Sequence, residues 1–163
     1  MKIVYVHHAQ RDKSNGMNQD NDLTEIGEKD AKVHAEVLGS MKYLNYKAIY
    51  TSPYYRCKKT ALILNKKLNL PIIEDERLNE FEASLKKETW VNVQTRIADC
   101  LKNIVDKYEK DDAVICVTSG VNVAGFINLA YKIKPSENAP FIWISSCSPL
   151  TFDIDKSCFD TCK

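Results

Sequence analysis

The residues best suited to chemistry gather at three turns of the chain. The apolar run Lys2-Ile3-Val4-Tyr5-Val6 stops abruptly on His7-His8-Ala9-Gln10. Thr51-Ser52-Pro53 closes a second apolar run, and Arg56 stands one helical turn beyond it. Thr118-Ser119-Gly120 closes a third. A histidine at the carboxyl end of a buried strand, followed by small Ala9, suits a nucleophile or a general base, because neutral imidazole is populated near pH 7. An arginine and helix amino ends at the same crevice favour an anion such as phosphate, which takes charge-assisted bonds and unpaired backbone N–H groups. A lone histidine is commonly structural and a lone helical arginine commonly solvated. Their convergence carries the meaning, and convergence requires a particular fold.

The patterning supplies that fold. Residues 3–6 are β-branched or aromatic without polar alternation, as in a strand buried on both faces of a parallel sheet. Residues 11–22 hold Gly16, three asparagines and three aspartates and read as a long loop. Thr24 is placed to cap a helix whose inner face carries Gly27, Ala31, Ala35 and Leu38, and Gly39-Ser40 is its expected end. A strand at 48–51 leads into a helix over 54–68, with a short strand at 71–73 and a charged, irregular stretch at 74–85. Trp90, Val93, Ile97, Leu101, Ile104 and Val105 mark an amphipathic helix over 89–108. Residues 113–117 form the clearest buried strand, followed by a helix over 121–131 and two last strands near 141–144 and 150–154. Strands alternating with helices predict a three-layer α/β/α sandwich on a mostly parallel sheet, with the strands at 3–6, 48–51 and 113–117 adjacent at its centre. In such sheets ligands bind at the carboxyl ends of the strands, where the three turns lie.

Composition narrows the function. The 163 residues fit one domain, 1–163, with enough chain to bury its own core. A formal net charge of +1 gives no nucleic-acid footprint, and no apolar run reaches membrane-spanning length. Met1-Lys2 leads straight into a strand, so no signal peptide is expected and a cytoplasmic protein is. The six cysteines, Cys57, Cys100, Cys116, Cys147, Cys158 and Cys162, form no Cys-x-x-Cys pair, and they read as reduced, small hydrophobes. Cys158 and Cys162 alone, near the terminus, retain a prospect of pairing or oxidation. His34 recurs with Ala31 and Leu38 and reads as a core histidine, Trp90 as a packing residue, and Lys58, Lys59, Lys66 and Lys67 as a solvated face.

Four segments in order carry a resemblance: Val6-His7-His8-Ala9-Gln10, Leu23-Thr24-Glu25-Ile26-Gly27, Thr51-Ser52-Pro53-Tyr54-Tyr55-Arg56 with Thr60-Ala61, and Arg77-Leu78-Asn79-Glu80. Together they resemble the histidine phosphatase, or phosphoglycerate mutase-like, superfamily over most of the chain, in its compact branch. The resemblance implies a phosphoglycerate mutase-like fold and phosphoryl transfer through a covalent phosphohistidine. It makes His8 the nucleophile, Arg56 a phosphate ligand and Glu80 the general acid, with no metal or other cofactor. It implies a small phosphorylated substrate or a phosphoprotein as partner. Glu82 is the competing carboxylate, but Glu80 alone fits the Leu-Asn-Glu pattern.

The departures matter as much. Where the family has arginine and glycine around its nucleophile this chain has His7 and Ala9, and Ser119 falls where a second pocket histidine is expected. Each lost donor to a developing phosphoryl charge typically costs about 3 kcal/mol, so two would lower the rate by several powers of ten if nothing replaces them. Protonated His7, Arg11 or Lys13 on the following loop, and the Ser119 hydroxyl are the available replacements. Two functions are therefore expected in competition: a phosphatase of full or reduced rate, and a catalytically degenerate member that binds a phosphorylated ligand or a protein partner.

Overall fold

A computed structural model describes residues 1–14, 16, 20–82, 87–142, 144 and 149–162. Strands β1 (Lys2–His7), β2 (Asn45–Thr51), β3 (Ile72–Glu74), β4 (Asp112–Thr118) and β5 (Pro149–Asp153) form a single sheet in the order β3-β2-β4-β1-β5. The first four are parallel, and β5 runs antiparallel along β1 at the edge. The expected central trio, β2-β4-β1, is adjacent as predicted.

Alternation along the central strands sorts their side chains into two cores. Ile3 and Tyr5 of β1, Ala48 and Tyr50 of β2, and Val114 and Cys116 of β4 pack on one face with helices α3 (Trp90–Lys107) and α4 (Val123–Ala130). Val4 and Val6, Ile49, and Ala113, Ile115 and Val117 pack on the other with α1 (Glu25–Ser40) and α2 (Tyr55–Leu68). Every residue of β4 is buried, so polar alternation has no place in it. The result is a helix–sheet–helix sandwich.

The helix ends follow their capping chemistry. Thr24 accepts a hydrogen bond from the Gly27 amide at the start of α1. Thr89 and Asn92 form a reciprocal capping box at the start of α3. Gly39-Ser40 ends α1 as expected: Ser40 is its last residue, and the Met41 amide donates to the Leu38 carbonyl as its cap. The helix expected over 121–131 begins as a 3-10 turn at Gly120–Asn122 before α4 proper.

Among the described residues the strand expected near 141–144 does not form: Phe141, Ile142 and Ile144 lie in no regular element, and Trp143 lies outside the described residues. Phe141 and Pro140 contact helices α3 and α4 instead. Phe141 meets the Trp90 ring edge-on at 5.0 Å, and the Asn128 side chain donates to the Pro140 carbonyl at 3.1 Å. Cys57, Cys100, Cys116 and Cys158 are free and buried, and Cys162 is free and exposed. Burial pushes the Cys57 thiol up to about 12, an inert hydrophobe rather than a nucleophile. Cys147 lies outside the described residues. Among the described residues no helix is long and apolar enough to cross a membrane.

Candidate active site

Sheet register brings the predicted turns together. His7 of β1 pairs with Thr118 of β4, and Thr51 of β2 pairs with Val117. The next residue out on each strand sits at the same carboxyl edge: His8 donates its amide to the Thr118 carbonyl at 2.9 Å, and Ser52 donates to Val117 at 3.0 Å. The small residue after the nucleophile candidate is fully buried, and its amide donates to Thr60 Oγ1 at 3.0 Å. Thr60 Oγ1 in turn donates to the Arg56 carbonyl at 2.7 Å, so one hydroxyl ties the β1 end to α2. A second tie comes from α1. Thr24 donates its amide to the Gln10 carbonyl at 2.9 Å, and a side-chain carbon at Gly27 would come within 2.3 Å of that same oxygen. Glycine there lets α1 approach the chain just past His8.

His8 is buried, and its ring is fixed at both nitrogens. Nδ1 lies 2.8 Å from the Ala9 carbonyl, which can only accept, so Nδ1 carries the proton. Nε2 therefore presents its lone pair, and Arg56 Nε donates to it at 3.2 Å. Burial above all, then the adjacent His7 ring, holds the His8 pKa well below the ordinary 6.5; Arg56 and Arg11 act in the same direction. The two histidine rings meet at 4.3 Å between centroids. His8 is thus a neutral imidazole whose unprotonated nitrogen faces a guanidinium.

Arg56 has a side chain only 3% exposed and uses every edge. Its Nε faces His8, Nη1 meets Asp20 Oδ1 at 3.1 Å, Nη2 is paired with Glu80, and the Tyr54 ring lies 4.6 Å beneath the guanidinium carbon. Glu80 reaches Arg56 because the segment before it is pinned to the turns that follow β4 and β2. Buried Asn122 donates to the Leu78 carbonyl at 3.1 Å, the Asn79 carbonyl at 2.8 Å and Thr118 Oγ1 at 2.7 Å. Ser52 donates to the Asn79 side chain at 2.7 Å. Glu82 points its backbone elsewhere, donating its amide to Glu88 at 3.3 Å.

The structure thus brings together His8, Arg56 and Glu80, with His7 beside them. Ser119 lies one residue past Thr118 at the same edge, 1% exposed; its carbonyl accepts from Tyr5 Oη at 2.7 Å, while its Oγ is buried with no hydrogen-bond partner among the described residues. Arg11 pairs through its backbone with Leu23 at the neck of the loop, and its charge is felt at His8. Lys13 is exposed. His34 is half-buried on α1 with no hydrogen-bond partner for its Nδ1, a packed histidine but not a satisfied one. The lysine face is more engaged than expected: Lys59 bridges Asp22 at 2.6 Å and Glu28 at 2.7 Å, joining loop, α1 and α2. Sequence reasoning missed Asp20 and Asn122. Asp20 is one of three aspartates in a generic polar loop and carries no signal of its own; Asn122, polar amid an apolar helix start, carries a faint one.

Comparison with known proteins agrees with this geometry. A family model described as the histidine phosphatase superfamily (branch 1) matches residues 3–86. A curated relative, phosphoserine phosphatase 1 of Hydrogenobacter thermophilus, is 30% identical over 115 residues, which are 68% of this chain and 48% of the relative. The match thus spans about half of that protein's length. Among solved structures, a mycobacterial glucosyl-3-phosphoglycerate phosphatase complexed with VO3 superposes with a TM-score of 0.75 at 22% identity, covering 92% of this chain and 90% of the other. The protein histidine phosphatase SixA, complexed with tungstate, gives 0.71 at 15% identity over 97% and 91%. These two likenesses speak for the fold, and the family model, covering half the chain and including His8 and Arg56, speaks for descent. The chain belongs to the histidine phosphatase superfamily.

Proposed function

We propose that the chain is a phosphoric monoester hydrolase in which His8 carries the phosphoryl group. The observation that bears most weight is the His8 ring: Nδ1–H held by the Ala9 carbonyl, Nε2 unprotonated and aimed at Arg56. In the first step Nε2 attacks phosphorus, the N–P bond forms and the ester P–O bond breaks. Arg56 holds phosphoryl oxygens as charge builds on them. Glu80, when protonated, gives its proton to the leaving oxygen. In the second step Glu80 takes a proton from water, the water oxygen attacks phosphorus, and inorganic phosphate leaves with imidazole restored. His7, Ser119 and Arg11 supply the remaining donors. The Ser119 hydroxyl is a good candidate because it is buried at the site edge without a partner inside the protein.

The named relatives act on phosphoserine, on glucosyl-3-phosphoglycerate and on protein histidine. What they share is a phosphorylated small molecule or a phosphohistidine protein, and that is the substrate class proposed here, handled within one domain. The test is turnover of p-nitrophenyl phosphate by the purified protein and by His8→Ala. The parent should hydrolyse it and the variant should not. Equal background in both would contradict the proposal.

One observation favours a second reading, a binding protein on the same fold. Both family donors are replaced, and the guanidinium that remains is balanced by two carboxylates. On that reading phosphate binds, in an Arg56-dependent way, and is not turned over.

A further inference from the structure

We propose that the Tyr55 amide and Arg56 Nη1 form an oxyanion subsite and that the Asp20 carboxylate is its internal occupant, an anion that a substrate's phosphoryl oxygens must displace. The inference rests on the reading of the Arg56 pocket as a phosphoryl site and adds to it what holds that site before substrate arrives.

One carboxylate spans both donors. Asp20 Oδ2 accepts from the Tyr55 N–H at 2.6 Å, and Oδ1 accepts from Arg56 Nη1 at 3.1 Å. Tyr55 is the first residue of α2, so its N–H has no partner within the helix and sits at the positive end of a fourteen-residue dipole. A guanidinium edge and a helix amide converging on one carboxylate are the same donors that a tetrahedral oxyanion takes. The remaining edges of Arg56 are already assigned, Nε to His8 and Nη2 to Glu80. An oxyanion entering between His8 and Arg56 gains a two-point grip only where a carboxylate gives way. Glu80 has its place fixed by the segment that Asn122 and Ser52 pin. Among the described residues Asp20 has no such anchor: its side chain is 40% exposed, and its bonds there are the two to the subsite.

The surroundings allow the exchange. The neck of the loop is closed two residues away, by the Asp12 amide donating to the Asp22 carbonyl at 2.8 Å, by the Arg11–Leu23 pairing and by Lys59 on Asp22. A rotation of the Asp20 side chain therefore frees both donors without opening the neck. Charge sharpens the point. With His8 neutral, Arg56 and Arg11 are offset by Glu80 and Asp20, so a dianion meets a site with no net attraction until one carboxylate turns away.

The experiment is direct titration with inorganic phosphate and with orthovanadate, by calorimetry, of the parent, Asp20→Ala and Asp20→Asn, with folding checked by circular dichroism. Asp20→Ala should bind both anions at least tenfold more tightly than the parent. Asp20→Asn, which keeps an oxygen for the Tyr55 amide but loses the charge, should fall between. A second variant tests the amide itself. Tyr55→Pro removes the N–H at the first helical position, where proline is tolerated, and Tyr54 is already extended as a residue before proline must be (φ −59°, ψ 136°). Placed on Asp20→Ala, it should give back several-fold of the gain. Anion affinity unchanged or weakened in both Asp20 variants would overturn the inference, as would a Tyr55→Pro change without effect. If no variant, the parent included, binds either anion, it is the reading of the pocket as a phosphoryl site that fails.

Discussion

The site has two halves, and they are built differently. Around the ends of β1 and α2, His8, Arg56, Glu80, Thr60 and Ala9 form a chain of hydrogen bonds in which each group fixes the next. Around the end of β4, the Ser119 hydroxyl is buried with no partner among the described residues. In the first half His8, Arg56 and Glu80 follow the pattern of the resemblance and arrive preorganised, whereas His7 and Ala9 at the end of β1 and Ser119 past the end of β4 depart from it. Phosphoryl transfer depends on donors that are already in place when charge develops. On the proposed function, His8 and Arg56 keep their places while part of the electrostatic stabilisation is thinned.

Breaking the intact half should have the largest effect. Arg56→Ala removes the guanidinium that faces His8 Nε2, and kcat/KM on a generic phosphomonoester should fall about a thousandfold, an energy of about 4 kcal/mol. A smaller loss would shift the grip to Arg11 or His7. Restoring the thinned half should work in the opposite direction. The double change His7→Arg with Ser119→His should raise turnover roughly a hundredfold, with each single gaining less than its share because groups on one phosphoryl act together. If the pair instead slows a brisk parent, His7 and Ser119 are fitted parts of a different pocket.

The join between the halves is Asn122, whose amide nitrogen holds Leu78, Asn79 and Thr118 together. Asn122→Ala should lower the unfolding free energy by about 2 kcal/mol, measured by urea melts, because it leaves buried carbonyls unpaired. It should also lower kcat by loosening Glu80. Stability preserved together with unchanged kcat would show that the segment is held elsewhere. The smallest effect is on pH. His8 has a folded pKa depressed below its unfolded value, so the unfolded chain takes up the proton first. Its contribution is fully present above pH 6.5 and is lost as pH falls from there toward the folded pKa, by up to about 1.4 kcal/mol per pH unit. The slope of stability against pH below 6.5 should flatten in His8→Gln. An unchanged slope would place the titration on another group.

How much of this was readable from the residues depends on the range of the forces involved. β1, β2 and β4 were readable because burial on both faces leaves an apolar run with no other explanation. The run at 141–144 has the same local appearance, yet Phe141 and Ile142 are exposed, and Phe141 meets Trp90 of α3 rather than a neighbouring strand. His8, Arg56 and Glu80 were readable because they fall in order on a family pattern, and sheet register then does the rest. Asp20 and Asn122 were not. Thr118 apart, their partners lie 35 to 44 residues away in sequence, and nothing in an Asp-rich loop or a single asparagine announces a long-range bond.

The central claim is that Nε2 of His8 takes the phosphoryl group because Nδ1 is held by the Ala9 carbonyl. The direct test is mass spectrometry of protein quenched during turnover of p-nitrophenyl phosphate, with phosphorus-31 spectra of the phosphoprotein to tell the two ring nitrogens apart. One phosphoryl group should appear on the peptide containing His8, bonded at Nε2, and should be absent from His8→Ala. Turnover with the phosphoryl group on another residue, at Nδ1, or on no residue of the protein at all would contradict the account.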